Sequence, residues 1–270
     1  MTKDRFQSLL INQGLHHSIA DHIDESWYEL FENLLPELKE VFNKLYNERY
    51  RDLDEANPGN IQEVIKTIYP SDTLIFRAFK LCKLTDLKVI VLGQDVFHDG
   101  SSIGTAFDNV MGKKISPSLQ NIIKEVTANN FEEMSNHPHL RKTWLEHWPN
   151  QGVLLLNTAL TVEKGKPGSH LEIWKPFTQK LLGLISAKQD KIVWCLWGAK
   201  ALAHKDWIVQ NMFNSLNKVD KAEVAFIISS HPSPLGANKP MQGYPAFIGS
   251  KPFSRINKYL KEWGKTEIKW

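Results

Sequence analysis

The stretch Lys88-Val-Ile-Val-Leu-Gly-Gln-Asp95 decides the fold, because an apolar run of strand length here passes directly into polar residues. Three more segments repeat this pattern: Gly152-Val-Leu-Leu-Leu-Asn157, Lys191-Ile-Val-Trp-Cys-Leu-Trp-Gly198 and Glu223-Val-Ala-Phe-Ile-Ile-Ser229. Continuous apolar strands that alternate with helical segments are typical of a parallel sheet covered on both faces. The sequence therefore predicts an α/β fold, a single domain with a central four-stranded parallel sheet flanked by helices.

Helical patterns occupy the segments around these strands. We predict helices at Ser116–Val126, with Ser116 as cap, at Trp174–Ala187, at Ala199–His204 and at Pro252–Trp263. Upstream, Glu25–Tyr50 is helical in pattern, with Pro36 as an interruption, and Asn57-Pro58-Gly59 marks a loop. We divide the chain into an N-terminal helical segment, residues 1–60, packed on a main domain of residues 61–270.

Composition excludes several classes of protein. Hydrophobic residues make up 42% and charged residues 23% of the 270, which is typical of a globular core. Cys82 and Cys195 form no C-x-x-C pair, so we expect neither a disulfide scaffold nor a structural zinc site. The first ten residues lack a signal-peptide core, and no apolar stretch reaches the roughly 18 residues of a membrane span. We therefore expect an intracellular protein.

The charge is unevenly distributed. The net charge is +3, yet residues 231–270 alone contain seven Lys or Arg against two Glu. A local basic zone on a nearly neutral chain is what binding to a phosphate backbone requires. A solvated helix face is an equally ordinary explanation for the last dozen residues.

Three polar residues follow predicted strands at the edge where parallel sheets bind ligands. Asp95, Asn157 and His231 come at the carboxyl ends of the first, second and fourth strands. A carboxylate can deprotonate a water, an amide can pair with a ligand's amide edge, and an imidazole can donate to developing negative charge. With Phe97 and Phe107 as stacking faces, this set predicts hydrolysis at a flat heterocycle, although each residue alone is more often a cap, a turn former or a packed loop residue.

Three motifs resemble those of the uracil-DNA glycosylases and occur in the same order. Gly93-Gln-Asp-Val-Phe-His98 resembles the water-activating motif G-Q-D-P-Y-H, and Gly152–Val162 is similar to the uracil-reading strand. His231-Pro-Ser-Pro-Leu235 matches the DNA-intercalation loop H-P-S-P-L. Shorter matches occur at Phe76–Phe79, Ser116–Leu119, Trp197-Gly198 and Lys251–Ser254, so that the resemblance extends from Pro70 to Leu260.

This resemblance implies a DNA-repair enzyme that flips uracil out of DNA and hydrolyses its N-glycosidic bond, leaving an abasic site without a metal or cofactor. Asp95 would activate the water, and His231 would bond uracil O2. The implied substrate-binding residues are Gln94, Phe97, which would exclude a methyl group at C5, Phe107, which would stack on the base, and Asn157, which would read the O4 and N3 edge. The implied DNA-binding residues are Ser118, Gly198, Ser233, Lys251 and Leu235, which would enter the minor groove.

The resemblance also implies partners and a location. Uracil-containing DNA, single- or double-stranded, is the expected partner, and a DNA-mimicking inhibitor protein is a further one. We expect a monomer without membrane contact. We expect it in the cytoplasm, or in the nucleus or viral factory if the source is eukaryotic or viral.

Several positions depart from the family pattern. Val96 replaces a Pro, Phe97 replaces a Tyr, and the stretch from Asp95 to Phe107 is one residue shorter than usual. Only the final Ser-His of a usual His-Ser-His remains at Ser169-His170, and Ala199 stands where Ser is common. Residues 236–247 form a longer loop than usual. Its Lys239, Met241 and Tyr244 either extend the DNA contacts or belong to a passive surface loop.

Two alternatives remain beside this interpretation, and a third is rejected. The altered motif residues are compatible with a glycosylase for another base, and the fold with a DNA-binding relative that lacks catalysis. Gly100-Ser-Ser-Ile-Gly104 fits the hydrolase motif G-x-S-x-G. A nucleophile elbow must join a strand directly to a helix. Here we predict that the strand ends near Leu92 and that no helix follows Ser102, so we reject this alternative. His137, His139 and His147 cluster in sequence, and we interpret them as surface or interface residues, not as a metal site.

Overall fold

A four-stranded parallel sheet forms the centre of the protein. The computed structural model describes residues 1–50, 65–110, 114–128, 143–214 and 224–270. The sheet contains β2 (Val89–Asp95), β3 (Val153–Ala159), β5 (Ile192–Trp197) and β6 (Val224–Ser229), in the order β3-β2-β5-β6 with every pairing parallel. The predicted fold class and all four predicted strands are therefore confirmed. A short antiparallel pair, β1 (Ile68–Tyr69) with β4 (Val162–Glu163), lies apart from this sheet.

Both faces of the sheet are buried because both sets of alternating side chains are apolar. Ile90 and Leu92 of β2 belong to one core cluster, whereas Val89 and Val91 belong to the other. Successive residues of a strand point to opposite faces, so an unbroken apolar run must be covered twice. The N-terminal helices and the long helix after β4 cover the first face, and the helices before β3 and after β6 cover the second.

The helices agree with the sequence patterns apart from their bounds. The long helix begins three residues before the predicted Trp174, because the carbonyl of His170 already accepts the first helical hydrogen bond from Trp174 N. The predicted interruption near Pro36 is confirmed, since one helix ends at Glu32 and the next begins at Leu35. The α-helices among the described residues are α1 (Lys3–Asn12), α2 (Tyr28–Glu32), α3 (Leu35–Tyr50), α4 (Arg77–Leu81), α5 (Pro117–Ala128), α6 (Leu171–Lys188), α7 (Ala199–Leu202), α8 (Lys205–Asn214) and α9 (Pro252–Glu262).

Some predictions fall outside the described residues. The loop at Asn57-Pro58-Gly59 and the proposed boundary at residue 60 lie there, as do Glu223, His137 and His139. The division at residue 60 stays a prediction.

Cys82 and Cys195 are buried free thiols, and burial raises the pKa of the Cys82 thiol to about 12. In the described part of the chain, no helix is long and apolar enough to cross a membrane.

Candidate active site

The carboxyl ends of β2, β3 and β6 open into one cavity of ≈ 220 Å³. Asp95 ends β2, Asn157 lies within β3, and His231 follows β6. The parallel register sets Gly93 beside Asn157 and Asp95 beside Ala159, which brings these distant parts of the sequence together. The predicted site residues that line this cavity are Gln94, Asp95, Phe97, Phe107, Ser118, Asn157 and His231. Val96 and His98, which the sequence analysis named only as parts of the first motif, also line it, and so does Thr105, which the sequence analysis missed.

The Asp95 carboxylate is held by a loop that is distant in sequence. Its Oδ2 accepts a hydrogen bond from the backbone N of Gly168, at 2.6 Å, in the loop between β4 and α6. The preceding residue is fixed as well, because Thr158 Oγ1 donates to the carbonyl oxygen of Gln94 at 2.6 Å. Asp95 is half-buried and lines the cavity, so its carboxylate is oriented while it remains accessible to a small molecule.

Asn157 lies against a glycine that makes room for its amide. A Cβ atom on Gly93 would overlap Asn157 Oδ1 and would lie 3.0 Å from the Cβ of Ala106. The Asn157 side chain is only 5% exposed, and it forms no hydrogen bond with any described residue. A nearly buried amide without a protein partner is costly unless a ligand or water satisfies it. Asn157 therefore presents a free donor and a free acceptor to the cavity.

His231 is a neutral imidazole of defined tautomer. Its Nδ1 accepts a hydrogen bond from the backbone N of Ser233 at 3.0 Å, which leaves the proton on Nε2. Burial lowers the pKa of His231 below its usual value, so the ring stays neutral near pH 7. Gly198, with φ of +99°, lies so close that a Cβ there would be 2.9 Å from the Cβ of His231. The polar atom that His231 can offer a ligand is Nε2–H.

Phe107 is fixed in an unusual backbone conformation. Its φ is +64°, a region that a bulky L residue rarely adopts and that clusters at functional sites. The ring lies 5.8 Å from Trp197 and 5.7 Å from His231. Although the stretch from Asp95 is one residue shorter than the family pattern, Phe107 reaches the cavity.

Of the five candidate DNA-binding residues, one lines the cavity and two contact His231, which itself lines the cavity. Ser118 lines the cavity near the start of α5, and Gly198 precedes α7. Ser233 is half-buried, and Lys251 is exposed just before α9 with φ of +51°. Leu235 is 87% exposed, more than any other large hydrophobic side chain among the described residues. The Leu235 side chain is therefore available for contact with a partner molecule.

The long loop at 236–247 is tied at both ends. Ala237 and Phe247 are fully buried, and Ile248 N donates to the carbonyl of Ala237. Met241 and Tyr244 exchange two backbone hydrogen bonds of 2.8 and 3.0 Å, while Lys239 is exposed. The loop is therefore a fixed element beside Leu235, and its contact with DNA stays a prediction.

The strand before the hydrolase-like motif is longer than predicted. β2 continues to Asp95 instead of ending near Leu92, because Asp95 still pairs with Ala159. Even so, six residues lie between its end and Ser102, and no helix starts there. Ser102 is 9% exposed and is not placed on a nucleophile elbow. Within the described residues, no group of three His, Cys, Asp or Glu could hold a metal ion.

Comparison with known proteins assigns the chain to a protein family. Residues 79–261 match the family model of the Uracil DNA glycosylase superfamily. The uracil-DNA glycosylase of Desulfitobacterium hafniense is 37% identical over 251 residues, covering 92% of this chain and 96% of that protein. The uracil-DNA glycosylase of Azotobacter vinelandii is 37% identical over 250 residues, covering 92% and 94%.

Two solved structures show the same fold. A variant of mimivirus UNG in complex with UGI has a TM-score of 0.73 and 25% identity, covering 92% of this chain and 89% of its own. The UNG structure from Nitratifractor salsuginis has a TM-score of 0.52 and 22% identity, covering 86% and 90%.

Proposed function

Because the chain belongs to the Uracil DNA glycosylase superfamily, we propose that it removes uracil from DNA and leaves an abasic site. The observation that carries this proposal is the free amide of Asn157, which faces Asp95 and a neutral His231 in one small cavity. At ≈ 220 Å³ the cavity is smaller than the roughly 300–1,000 Å³ of ordinary ligand pockets, so it suits a single base. A base can enter only after it has been flipped out of the duplex stack.

We propose that Asn157 and Phe97 select uracil. The Asn157 oxygen accepts the N3–H of uracil and its amino group donates to O4, whereas cytosine offers the opposite groups at both positions. Phe97 would lie against C5 and leave no room for the methyl group of thymine. Phe107 would stack on the ring face, since its own position is fixed by Trp197 and His231. Gln94 would line the same pocket.

Asp95 and His231 would act on opposite ends of the bond that breaks. Water adds to C1′ while the C1′–N1 bond breaks, and the bonding electron pair leaves with uracil. Asp95 orients this water and takes up its proton, and Gly168 N holds the carboxylate for that task. His231 donates its Nε2–H to O2, where negative charge develops. The neutral ring is suited to this role because a neutral imidazole holds its Nε2 proton more tightly than an imidazolium does. His231 therefore remains a hydrogen-bond donor to O2 while negative charge develops there.

We further propose that Ser118, Gly198, Ser233 and Lys251 bind the DNA backbone and that Leu235 fills the gap left by the flipped base. We also propose that the chain acts as a monomer in the cytoplasm. A DNA-mimicking inhibitor protein would cover the same surface. The mimivirus UNG structure in complex with UGI supports this proposal. A competition assay between such an inhibitor and DNA tests it.

The test is release of free base from oligonucleotides that carry one uracil, thymine, cytosine or modified pyrimidine. We expect release from the uracil strand alone and a loss of about 10²–10⁴-fold in the Asp95→Asn variant, the usual contribution of a general base. Asp99→Asn is the matched control, because Asp99 is an exposed carboxylate four residues away that binds Ser101.

Three results would contradict the proposal. Full activity of Asp95→Asn would remove Asp95 from the reaction. Release of a modified base without release of uracil would favour a glycosylase whose pocket the changes at Val96 and Phe97 have altered, and binding without release would favour a relative that lacks catalysis.

A further inference from the structure

Helix α5 carries three polar side chains on one face that reach three parts of the proposed DNA-binding surface. Ser118, Asn121 and Glu125 are spaced i, i+3 and i+7, which aligns them along a helix. Ser118 lines the cavity. Asn121 contacts the loop of His231, and Glu125 contacts the loop of Lys251. Neither Asn121 nor Glu125 is among the residues that line the cavity.

Asn121 holds the peptide group that holds His231. Its Nδ2 donates to the carbonyl oxygen of Pro232 at 2.8 Å. The same peptide unit continues as the N–H of Ser233, which donates to His231 Nδ1 at 3.0 Å. Because a peptide group is planar, fixing its oxygen also fixes the direction of its N–H. Asn121 thus sets the hydrogen bond that keeps the His231 proton on Nε2.

Glu125 performs the corresponding task for the second loop. Its side chain is only 2% exposed, and its two oxygens accept from Gly249 N at 2.8 Å and Lys251 N at 2.9 Å. A buried carboxylate must be satisfied in this way to be tolerated. Lys251 adopts a left-handed conformation, with φ of +51°, that is unfavourable for a residue with a side chain. The carboxylate therefore stabilises the backbone that presents Lys251 and begins α9.

We propose that Asn121 and Glu125 are positioning residues with separate effects: Asn121 sets the proton donor of the chemical step, and Glu125 sets DNA affinity. This inference rests on the proposed function, in which His231 stabilises the departing base and Lys251 binds the backbone. Helix α5 then couples the two, since one rigid element fixes the distance between the catalytic loop and a phosphate-binding loop.

The experiment compares Asn121→Ala, Glu125→Gln and Thr127→Ala in the full chain. Thr127 lies on the last turn of the same helix, and its hydroxyl bonds only within that helix, so it is the matched control. For each variant, the single-turnover rate at saturating protein, the Kd for abasic-site DNA and the melting temperature are measured. Nitrogen NMR of the His231 ring reports its tautomer independently of any activity.

Loss of one net hydrogen bond corresponds to about a tenfold effect. We expect Asn121→Ala to lower the single-turnover rate by about that factor, with an unchanged Kd and a mixed His231 tautomer. Glu125→Gln keeps the shape of the side chain but loses one acceptor, so its Kd should rise by a similar factor while the saturated rate stays within about twofold. Thr127→Ala should change neither quantity.

An unchanged His231 tautomer in Asn121→Ala would overturn the proposal for that residue, and an unchanged Kd in Glu125→Gln would overturn it for the other. Parallel loss of rate, affinity and melting temperature in both variants would mean that α5 is only a structural support. If the wild type released no uracil, the proposed function would fail, whereas the NMR result would still decide whether Asn121 positions His231.

Discussion

Truncation of Leu235 should separate DNA contact from folding more cleanly than any other single change. Leu235→Ala removes three carbon atoms, worth about 0.8 kcal/mol each when buried, or about 2.4 kcal/mol if the whole side chain enters the DNA. That corresponds to a loss of about 60-fold in kcat/KM on a duplex that contains one uracil. In the free protein the side chain is 87% exposed, so the free energy of unfolding should change by only about 0.3 kcal/mol.

The assay compares kcat/KM for uracil in a duplex with that in the matched single strand. A single strand has no opposing stack to close behind the flipped base, so the variant should lose roughly tenfold less activity on it. Ile11→Ala is the control, because it also removes three carbons from an exposed side chain, 60% exposed, on the N-terminal helix α1. Equal activity of Leu235→Ala and wild type on duplex DNA would refute the reasoning. A large drop in melting temperature would show that Leu235 acts through the fold.

Two further predictions concern the walls of the cavity. In Gly93→Ala, the new Cβ displaces the Asn157 amide, and loss of two hydrogen bonds should lower kcat/KM for uracil by roughly 100-fold; activity within threefold of wild type would contradict it. Because burial lowers the pKa of His231, its neutral form persists as the pH falls, so the acid-side loss of activity that depends on His231 should begin below about pH 6.5, the usual imidazole value. Single-turnover rates of wild type and His231→Gln from pH 5 to 8 check this prediction. If the wild type alone had already lost its activity above pH 6.5, the prediction would be wrong.

The residues at the strand ends were predictable, because one local sequence pattern identifies both a buried strand and the polar residues at its carboxyl end. An apolar run that passes into Asp95, or into Asn157, identifies both a buried strand and its ligand-binding edge. The parallel register then needs no further information to bring the two residues together, as the pairing of Gly93 with Asn157 shows. The sequence could therefore place the reactive groups before any distance was known.

The contacts that orient those groups were not predictable in the same way. Gly168 N, which holds Asp95, is 73 residues away in the chain, and Asn121 lies 111 residues from Pro232. Such pairs depend on how a loop or helix packs on the sheet, which no local periodicity encodes. The positive φ of Phe107 is a further case, since propensity alone argues against a bulky residue in that conformation. Asn121 and Glu125 lie within the helix predicted at Ser116–Val126, but only the structure shows which loops they contact.

The departure at Val96 illustrates how packing can replace a local constraint. A proline after Asp95 would fix the backbone through its ring, and its replacement by Val96 predicts a less rigid loop. In the structure, β2 continues through Asp95, and the Val96 side chain is only 4% exposed. Strand pairing with Ala159 fixes the backbone on one side, and the hydrogen bond from Gly168 N fixes the carboxylate itself. The Asp95 carboxylate is thus positioned by tertiary contacts on both sides of the residue, so the change at Val96 alone does not release it for motion.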